Sequence, residues 1–396
     1  MYKNFSFTIS CQVNNSRVGI INTPHGQIHT PAFTFCATKA AIKSLDIRTV
    51  KECNTQIILS NTYHLMLQPG ENIIQKLGGL HKILGWNKPI LTDSGGYQIF
   101  SLGYGSVSDE IKGKRNNKRP KTLLEINENG AIFRSYINGQ KYYLTPEKSI
   151  NIQKKLGADL IIVLDECTPF NINYEYTKQS MHMSNRWAIR SFEEFKKNYH
   201  GTQALYGVVQ GGIYQDLRKT SCDFLNNMSF FGYAIGGSLG ASKQQMYNTV
   251  SFTMEHLNKN KPIHLLGIGN INDIFYGVKH GIDTFDCVHP TRIARHGAAL
   301  VKVKNRCENT KHKEYINLYN SKFQEDLSPI EDDCLCFTCL NHSRGYIHHL
   351  LKAQELLAYS LITAHNIYFM NNLMQNIRNA IINNTFEQEK NNWVYM

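Results

Sequence analysis

Asp159-Leu160-Ile161-Ile162-Val163-Leu164-Asp165 is the stretch on which the reading of this chain turns. Five apolar residues run unbroken between two aspartates. A strand with one wet face alternates apolar and polar residues, whereas a strand covered on both faces does not. The run therefore predicts a strand inside a sheet covered on both sides, with a carboxylate at its C-terminal tip.

Working outward, the same pattern recurs at Thr30–Phe35, Gln56–Asn61, Pro89–Ser94, Leu205–Gln210, Gly232–Gly237, His264–Gly269 and Thr284–Val288. Helix-like segments separate these runs. About eight buried strands alternating with helices predict an α/β chain folded as a (β/α)8 TIM barrel. The chemistry of such barrels sits at the C-terminal ends of the strands. Asp93, Asp165, Gln210, Gly237 and Asp286 are thus expected to converge. One polar tip would mean nothing, because loops are polar. Several tips that set Asp or Gln beside Gly mean more, since Gly lets backbone approach a ligand closely.

Two features interrupt the repeat. The stretch 104–124 carries Lys112, Lys114, Arg115, Lys118, Arg119 and Lys121. It reads as a basic insertion loop, either a solvated charge run, the commoner case, or a contact to RNA. Ile132–Ile137 and Gln140–Leu144 flank Asn138-Gly139, which predicts an inserted β-hairpin. The pattern changes near residue 300. We expect a catalytic barrel over 1–300 and a zinc-binding helical C-terminal subdomain over 301–396, with Leu350, Leu351, Leu357, Leu361, Ile367 and Leu373 at helical spacing.

The cluster Cys334-Leu335-Cys336-Phe337-Thr338-Cys339 places three thiols within six residues. His365 is the best fourth ligand, although His342, His348 and His349 lie nearer in sequence. Three thiolates and an imidazole make a closed tetrahedral zinc site, with a structural rather than catalytic role.

The remaining composition bounds the function. The 396 residues are 42% hydrophobic and 19% charged, a globular balance, with a formal net charge of +12. That charge suits a polyanion, nucleic acid before an anionic membrane. The start, MYKNFSFTIS, has no apolar signal region, and no apolar run reaches the length of a membrane helix. A cytoplasmic protein with no membrane partner is expected.

Taken in order, Thr23-Pro24-His25-Gly26, Thr30-Pro31-Ala32, Asn61-Thr62-Tyr63-His64-Leu65 and Asp93-Ser94-Gly95-Gly96-Tyr97-Gln98 carry a resemblance. So do Asp165-Glu166-Cys167, Val209-Gln210-Gly211-Gly212, Gly281-Ile282-Asp283 with Phe285–Val288, Pro290-Thr291-Arg292 and Arg295-His296-Gly297. With these motifs and the zinc cluster, the chain resembles the bacterial-type tRNA-guanine transglycosylases to about residue 388. The resemblance implies a homodimeric TIM-barrel enzyme that exchanges guanine 34, the anticodon wobble base of tRNAs for Asp, Asn, His and Tyr. The incoming base would be queuine or 7-aminomethyl-7-deazaguanine.

By the same resemblance Asp286 is the nucleophile and Asp93 the general acid/base. Asp165, Gln210 and Gly237 read the base, with Ser94, Gly95 and Gly96 beside them and Tyr97 stacked on it. Contacts to RNA fall on Gly267, Ile268, Gly269, Asn270, Ile271, Asn272 and Asp273, and on Thr291, Arg292, Ile293, Ala294 and Arg295. Base exchange with retained configuration needs two carboxylates, one to attack the anomeric carbon and one to move the proton.

The chain also departs from that family. Gly236–Ser242 is one residue shorter than the bacterial loop, and Gly240 stands near the place of a branched Val. A Gly there, as in eukaryotic relatives, predicts room for the cyclopentenediol of queuine, whereas Cys167 is the bacterial residue. Asn270-Ile271 and His289 also depart from the usual residues. Both carboxylates are present, which argues against a non-catalytic partner subunit. An archaeal-type enzyme with further C-terminal RNA-binding domains is not expected, nor is a hydrolytic nucleosidase.

Overall fold

The computed structural model describes residues 1–104, 122–169, 171–197, 199–303 and 313–394. The six basic residues of the insertion lie outside them. Ala32–Cys36, Ile58–Ser60, Ile90–Thr92, Leu160–Ile162, Ala204–Val209, Gly232–Ile235, Ile263–Leu265 and Thr284–Cys287 form a closed barrel. They are barrel strands one to eight in chain order, all parallel. Closure pairs Phe285 with Phe33 and Asp286 with Thr34. Each run read from the sequence overlaps one strand. Ile161, Ile162 and Val163 are all at most 2% exposed, as strands covered on both faces should be.

Helices pack around the barrel, and their ends follow local chemistry. Thr145 caps Pro146–Leu156 by accepting from the Lys148 amide, Pro146 opens the helix, and Gly157 closes it in the left-handed conformation. Asn173 likewise caps Tyr174–Lys196 through the Tyr176 amide.

A three-stranded antiparallel sheet, Ser6–Val13, Ser16–Thr23 and Gly26–Thr30, covers the N-terminal end of the barrel. The sequence reading did not contain it. Arg17 fastens it, pairing through Nε with Asp283 Oδ1 at 2.9 Å and donating to the Lys261 carbonyl at 3.1 Å. Asp159, at the foot of strand four, accepts from the Ile90 amide at 2.9 Å and hydrogen bonds His25 at 2.6 Å and His81 at 3.2 Å. The aspartate that opens the deciding stretch is thus structural, and the one that closes it faces the site.

The predicted hairpin is the outer part of a second three-stranded sheet, Leu123–Asn127, Gly130–Arg134 and Lys141–Leu144. Its turn is longer than Asn138-Gly139 alone. The strand stops at Arg134 because the Ser135 hydroxyl takes the Ile137 amide at 3.1 Å and the Ser135 amide donates to the Gln140 carbonyl at 2.9 Å.

C-terminal to the barrel, Ala298–Leu300 pairs with Tyr315–Asn317, and helices Arg344–Lys352, Leu356–Ile382 and Phe386–Trp393 follow. The long helix serves two apolar clusters. Ala358, Leu361 and Ile362 belong to a small one with the three cysteines, and Ile367, Phe369, Met370 and Leu373 belong to the barrel core. Between them Asn366 donates to the carbonyls of Pro290 at 2.9 Å and Ala298 at 3.2 Å. It also accepts from the Leu300 amide at 2.8 Å. One buried amide therefore ties this helix to the segment that follows strand eight. Among the described residues no helix is long and apolar enough to cross a membrane.

Candidate active site and metal cluster

Asp286 stands near the C-terminal end of strand eight. Its Oδ1 accepts two hydrogen bonds, from His264 Nε2 and from the Gly267 amide, both at 3.0 Å. Its Oδ2 faces the Cys36 thiol at 3.8 Å. One carboxylate oxygen is thus held and the other kept available.

Asp93 follows strand three. Oδ1 accepts from the Thr62 amide at 2.8 Å, and Oδ2 from Asn61 Nδ2 at 2.7 Å. Thr62 Oγ1 donates to the Asp93 carbonyl at 2.6 Å. Burial lifts its pKa above the ordinary carboxylate range, against the pull of Asn61, Thr62 and Gln98, and the nearby Asp286 lifts it further. A fixed carboxyl that protonates more readily than usual is suited to carry a proton.

Asp165 follows strand four and is 8% exposed. It accepts from Gln210 Nε2 at 2.5 Å and lies 3.5 Å from Ser94 Oγ. Burial pushes its pKa up to about 6, against the hydrogen bonds of Gln210 and Ser94. The glycines here are needed for space. A Cβ on Gly237, at φ +77°, would stand 2.3 Å from Gln210 Oε1, and one on Gly96 would stand 2.7 Å from the Asp165 carbonyl. Gly95, at φ +86°, turns the chain between Ser94 and Gly96. Burial pushes the Cys167 thiol up to about 12, so it is neutral and no nucleophile.

Tyr97 is 51% exposed near the start of Gly96–Tyr104. Its phenol lies in the fields of Cys167, Cys287, Asp286 and Arg292. The tips read from the sequence meet in one place, with Asp165 bonded to Gln210 and Ser94, and Asp93 near enough to Asp286 to feel its charge.

The expected RNA contacts divide by burial. The side chains of Ile271, Asp273, Thr291 and Ala294 are buried, and Asp273 is engaged by Tyr247 at 2.7 Å and Lys243 at 3.2 Å. Gly269 packs against Cys287. Gly267 and Arg292 are exposed, while Ile268, Asn270, Asn272, Ile293 and Arg295 are half-buried. Arg295 donates to the Thr291 carbonyl at 2.7 Å.

The sequence reading missed several groups. Asn61 and Thr62 stood there only as a motif, with no partner for Asp93. His264 stood only as a strand residue. Lys39 and Lys43, four residues apart in the loop after strand one, join Arg292 and Arg295 in one basic rim. Burial and the charges of Arg295 and Lys39 lower the Lys43 pKa, and Arg292 contributes to lowering that of Arg295. Two lysines just past a strand tip were the available signal.

The cysteine cluster assembles as expected. His365 Nδ1 lies 3.6 Å from the sulfurs of Cys334 and Cys336 and 3.3 Å from that of Cys339. Tetrahedral bonds of about 2.3 Å to sulfur and 2.1 Å to nitrogen would place these atoms about 3.6 Å apart. The four ligands are buried and fit a metal ion. His365 Nε2 donates to the Leu300 carbonyl at 2.8 Å, which leaves Nδ1 as the ligating nitrogen. His348 is instead occupied with the Leu318 carbonyl at 2.8 Å.

Comparison with known proteins decides between chemistries that a barrel with two carboxylates leaves open. A family model described as queuine tRNA-ribosyltransferase matches residues 11–396. The chain belongs to the queuine tRNA-ribosyltransferase family. It is 44% identical over 391 residues to a queuine tRNA-ribosyltransferase of Roseiflexus sp. (strain RS-1), covering 96% of each chain. Identity is 45% over 380 residues to that of Protochlamydia amoebophila (strain UWE25), covering 96% of this chain and 95% of the relative. It is 43% over 378 residues to that of Rickettsia prowazekii (strain Madrid E), covering 95% and 96%. As a member of this family the protein is a tRNA-modifying pentosyltransferase.

Proposed function

We propose that this enzyme exchanges guanine 34 of GUN-anticodon tRNAs, those for Asp, Asn, His and Tyr, by double displacement through a covalent Asp286–ribose intermediate. The observation that carries the reading is the unequal treatment of two carboxylates. Asp286 has one oxygen held by two N–H donors and the other facing the Cys36 thiol, and burial raises the Asp93 pKa above the ordinary carboxylate value.

In the first step Asp286 Oδ2 forms a bond to the anomeric carbon. The bond to guanine N9 breaks, its electron pair leaves with the base, and Asp93 supplies the proton. In the second step Asp93 takes a proton from the incoming deazaguanine, whose N9 reforms the glycosidic bond as the Asp286 carboxylate leaves. Configuration is retained because the carbon is inverted twice.

Asp165 accepts from the N1–H and the exocyclic amine of the base. Gln210 uses one amide hydrogen on Asp165, which leaves the other, with the Gly237 amide, for the base carbonyl. Ser94, Gly95 and Gly96 form the neighbouring wall. A base of the wrong pattern leaves these groups unpaired, at about 1–3 kcal/mol each. The Tyr97 ring stacks on the base, which must leave its own stack to arrive. Lys39, Lys43, Arg292 and Arg295 form a basic rim for the flanking phosphates, alongside the backbone of Gly267–Asp273.

We read the incoming base as queuine, because Gly240 resembles the glycine that eukaryotic relatives carry in the loop after strand six. At φ +120°, with Gln245 Cβ 2.5 Å from its missing Cβ, this position admits only glycine. Incubation with unmodified tRNA and nucleoside analysis of the product tests substrate and base together. Queuosine appearing in these four tRNAs and not in others is expected. Efficient incorporation of the aminomethyl base with queuine untouched would end the queuine reading.

The metal is read as one structural zinc per chain, since three thiolates and one imidazole leave no open position. Stripping it should lower the thermal midpoint by more than about 5 °C. Through Asn366 it should also loosen the segment after strand eight and lower the exchange rate. A chain with full zinc loss and an unchanged midpoint would contradict this. The cytoplasm, where tRNA resides, is the proposed location. A homodimer is supported by Leu327, Leu335, Phe337 and Leu340, which lie 63–89% exposed around the cysteine cluster. Sedimentation of the zinc-loaded protein as a monomer at micromolar concentration would count against it.

A further inference from the structure

We infer that His264, oriented by Thr284, is the positioning residue that fixes which oxygen of Asp286 attacks. The inference rests on the proposed double displacement and names a group outside the two carboxylates and the base-reading set.

The two side chains are neighbours by barrel register. His264 on strand seven pairs with Thr284 on strand eight, two residues before Asp286. Residues two apart on a strand point to the same face, so the Thr284 and Asp286 side chains both turn toward His264. His264 Nδ1 lies 2.8 Å from Thr284 Oγ1, and Nε2 lies 3.0 Å from Asp286 Oδ1. His264 is 1% exposed, so nothing from solvent competes for either nitrogen.

The proton assignment follows from the partners. A nucleophilic Asp286 is ionised and can only accept, so Nε2 carries a hydrogen. A ring with its one hydrogen on Nε2 has a bare Nδ1, which accepts from the Thr284 hydroxyl. Threonine thereby selects the tautomer that histidine needs to face the carboxylate.

The Gly267 amide converges on the same oxygen. Both donors hold Oδ1, and Oδ2 is left with the weak thiol of Cys36 at 3.8 Å. A carboxylate gripped by one oxygen cannot rotate, so Oδ2 is presented to the anomeric carbon in one orientation. The same grip stabilises the carboxylate when it leaves in the second step. The titratable and charged groups around Asp286 are Cys36 from strand one, Asp93 after strand three, Tyr97 and Arg292 at the mouth, Cys287 beside it, and His264 itself. Among the described residues, His264 is the side chain that donates to its Oδ1.

The test compares His264→Phe, His264→Gln and Thr284→Val with the wild type, reading kcat and KM for an anticodon stem-loop. His264→Phe should lower kcat about 100-fold and leave KM within about threefold, since the lost donor frees Asp286 to turn without touching RNA binding. His264→Gln restores an N–H near the Nε2 position and should recover kcat to within about tenfold. Thr284→Val, which keeps the shape and removes the hydroxyl, should fall between. Equal losses of kcat in the Phe and Gln variants would make His264 a packing residue and overturn the inference. So would a Phe variant as active as the wild type. An inactive wild type would instead overturn the double-displacement reading on which the inference rests.

Discussion

Replacing Asp286 with Ala is expected to reduce base exchange by roughly 10⁴-fold or more, about 5 kcal/mol of barrel-tip chemistry in one side chain. Among the described residues no other carboxylate is placed to substitute. Asp93 is held by Asn61 and Thr62, and Asp165 is tied to Gln210. The fold should survive, because Asp286 sits at the rim of strand eight and the strand's pairing is made by backbone. Binding of the stem-loop should persist within about tenfold, since the basic rim of Lys39, Lys43, Arg292 and Arg295 is untouched. Measured exchange with purified variant, alongside its thermal midpoint, checks both parts. Exchange that survives at a tenth of the wild-type rate would remove Asp286 from the nucleophile's role.

Asp93→Asn should lower kcat by about 10³-fold with little change in KM. The amide keeps the size of the carboxyl but cannot deliver a proton to the departing guanine. The acid side of the kcat/KM profile gives a separate reading. Asp165 has a pKa pushed up to about 6 by burial, so it is ionised above that pH and neutral below it. Once protonated it no longer accepts from the base on both oxygens. kcat/KM should therefore decline as pH falls through about 6, in the wild type and in Asp93→Asn alike. A profile flat from pH 5 to 8 would show that Asp165 does not read the base through its charge.

The barrel was legible because strands buried on both faces leave unbroken apolar runs, as at Leu160–Leu164. The N-terminal sheet was missed for the opposite reason. Ser6–Val13 has one exposed and one half-buried face, and its signal is the alternation of Phe7, Ile9, Cys11 and Val13 before the Asn14-Asn15 turn. The second sheet was seen as a hairpin with its turn misplaced, since Asn-Gly announces a reversal but the Ser135 side chain decides where the strand ends.

Of the site, the residues that carry the chemistry were visible as polar tips, and those that tune it were not. His264 lies 22 residues before Asp286 and Asn61 lies 32 before Asp93. Only the pairing of neighbouring strands brings such residues together, and register is a long-range property that local pattern does not encode. The metal cluster stands between these cases. Three ligands lay within six residues, while His365 was chosen from several histidines, of which His348 is bonded to the Leu318 carbonyl instead.

The most direct measurement is the identity of the covalent link. Wild-type enzyme would be mixed with an anticodon stem-loop without free base, denatured, digested, and the RNA-bearing peptide sequenced by mass spectrometry. The account predicts one adduct, on the peptide from strand eight, at Asp286, formed at a kinetically competent rate and discharged when guanine is added. An adduct on Asp93 or Asp165, or exchange that proceeds with no adduct at any time, would contradict it.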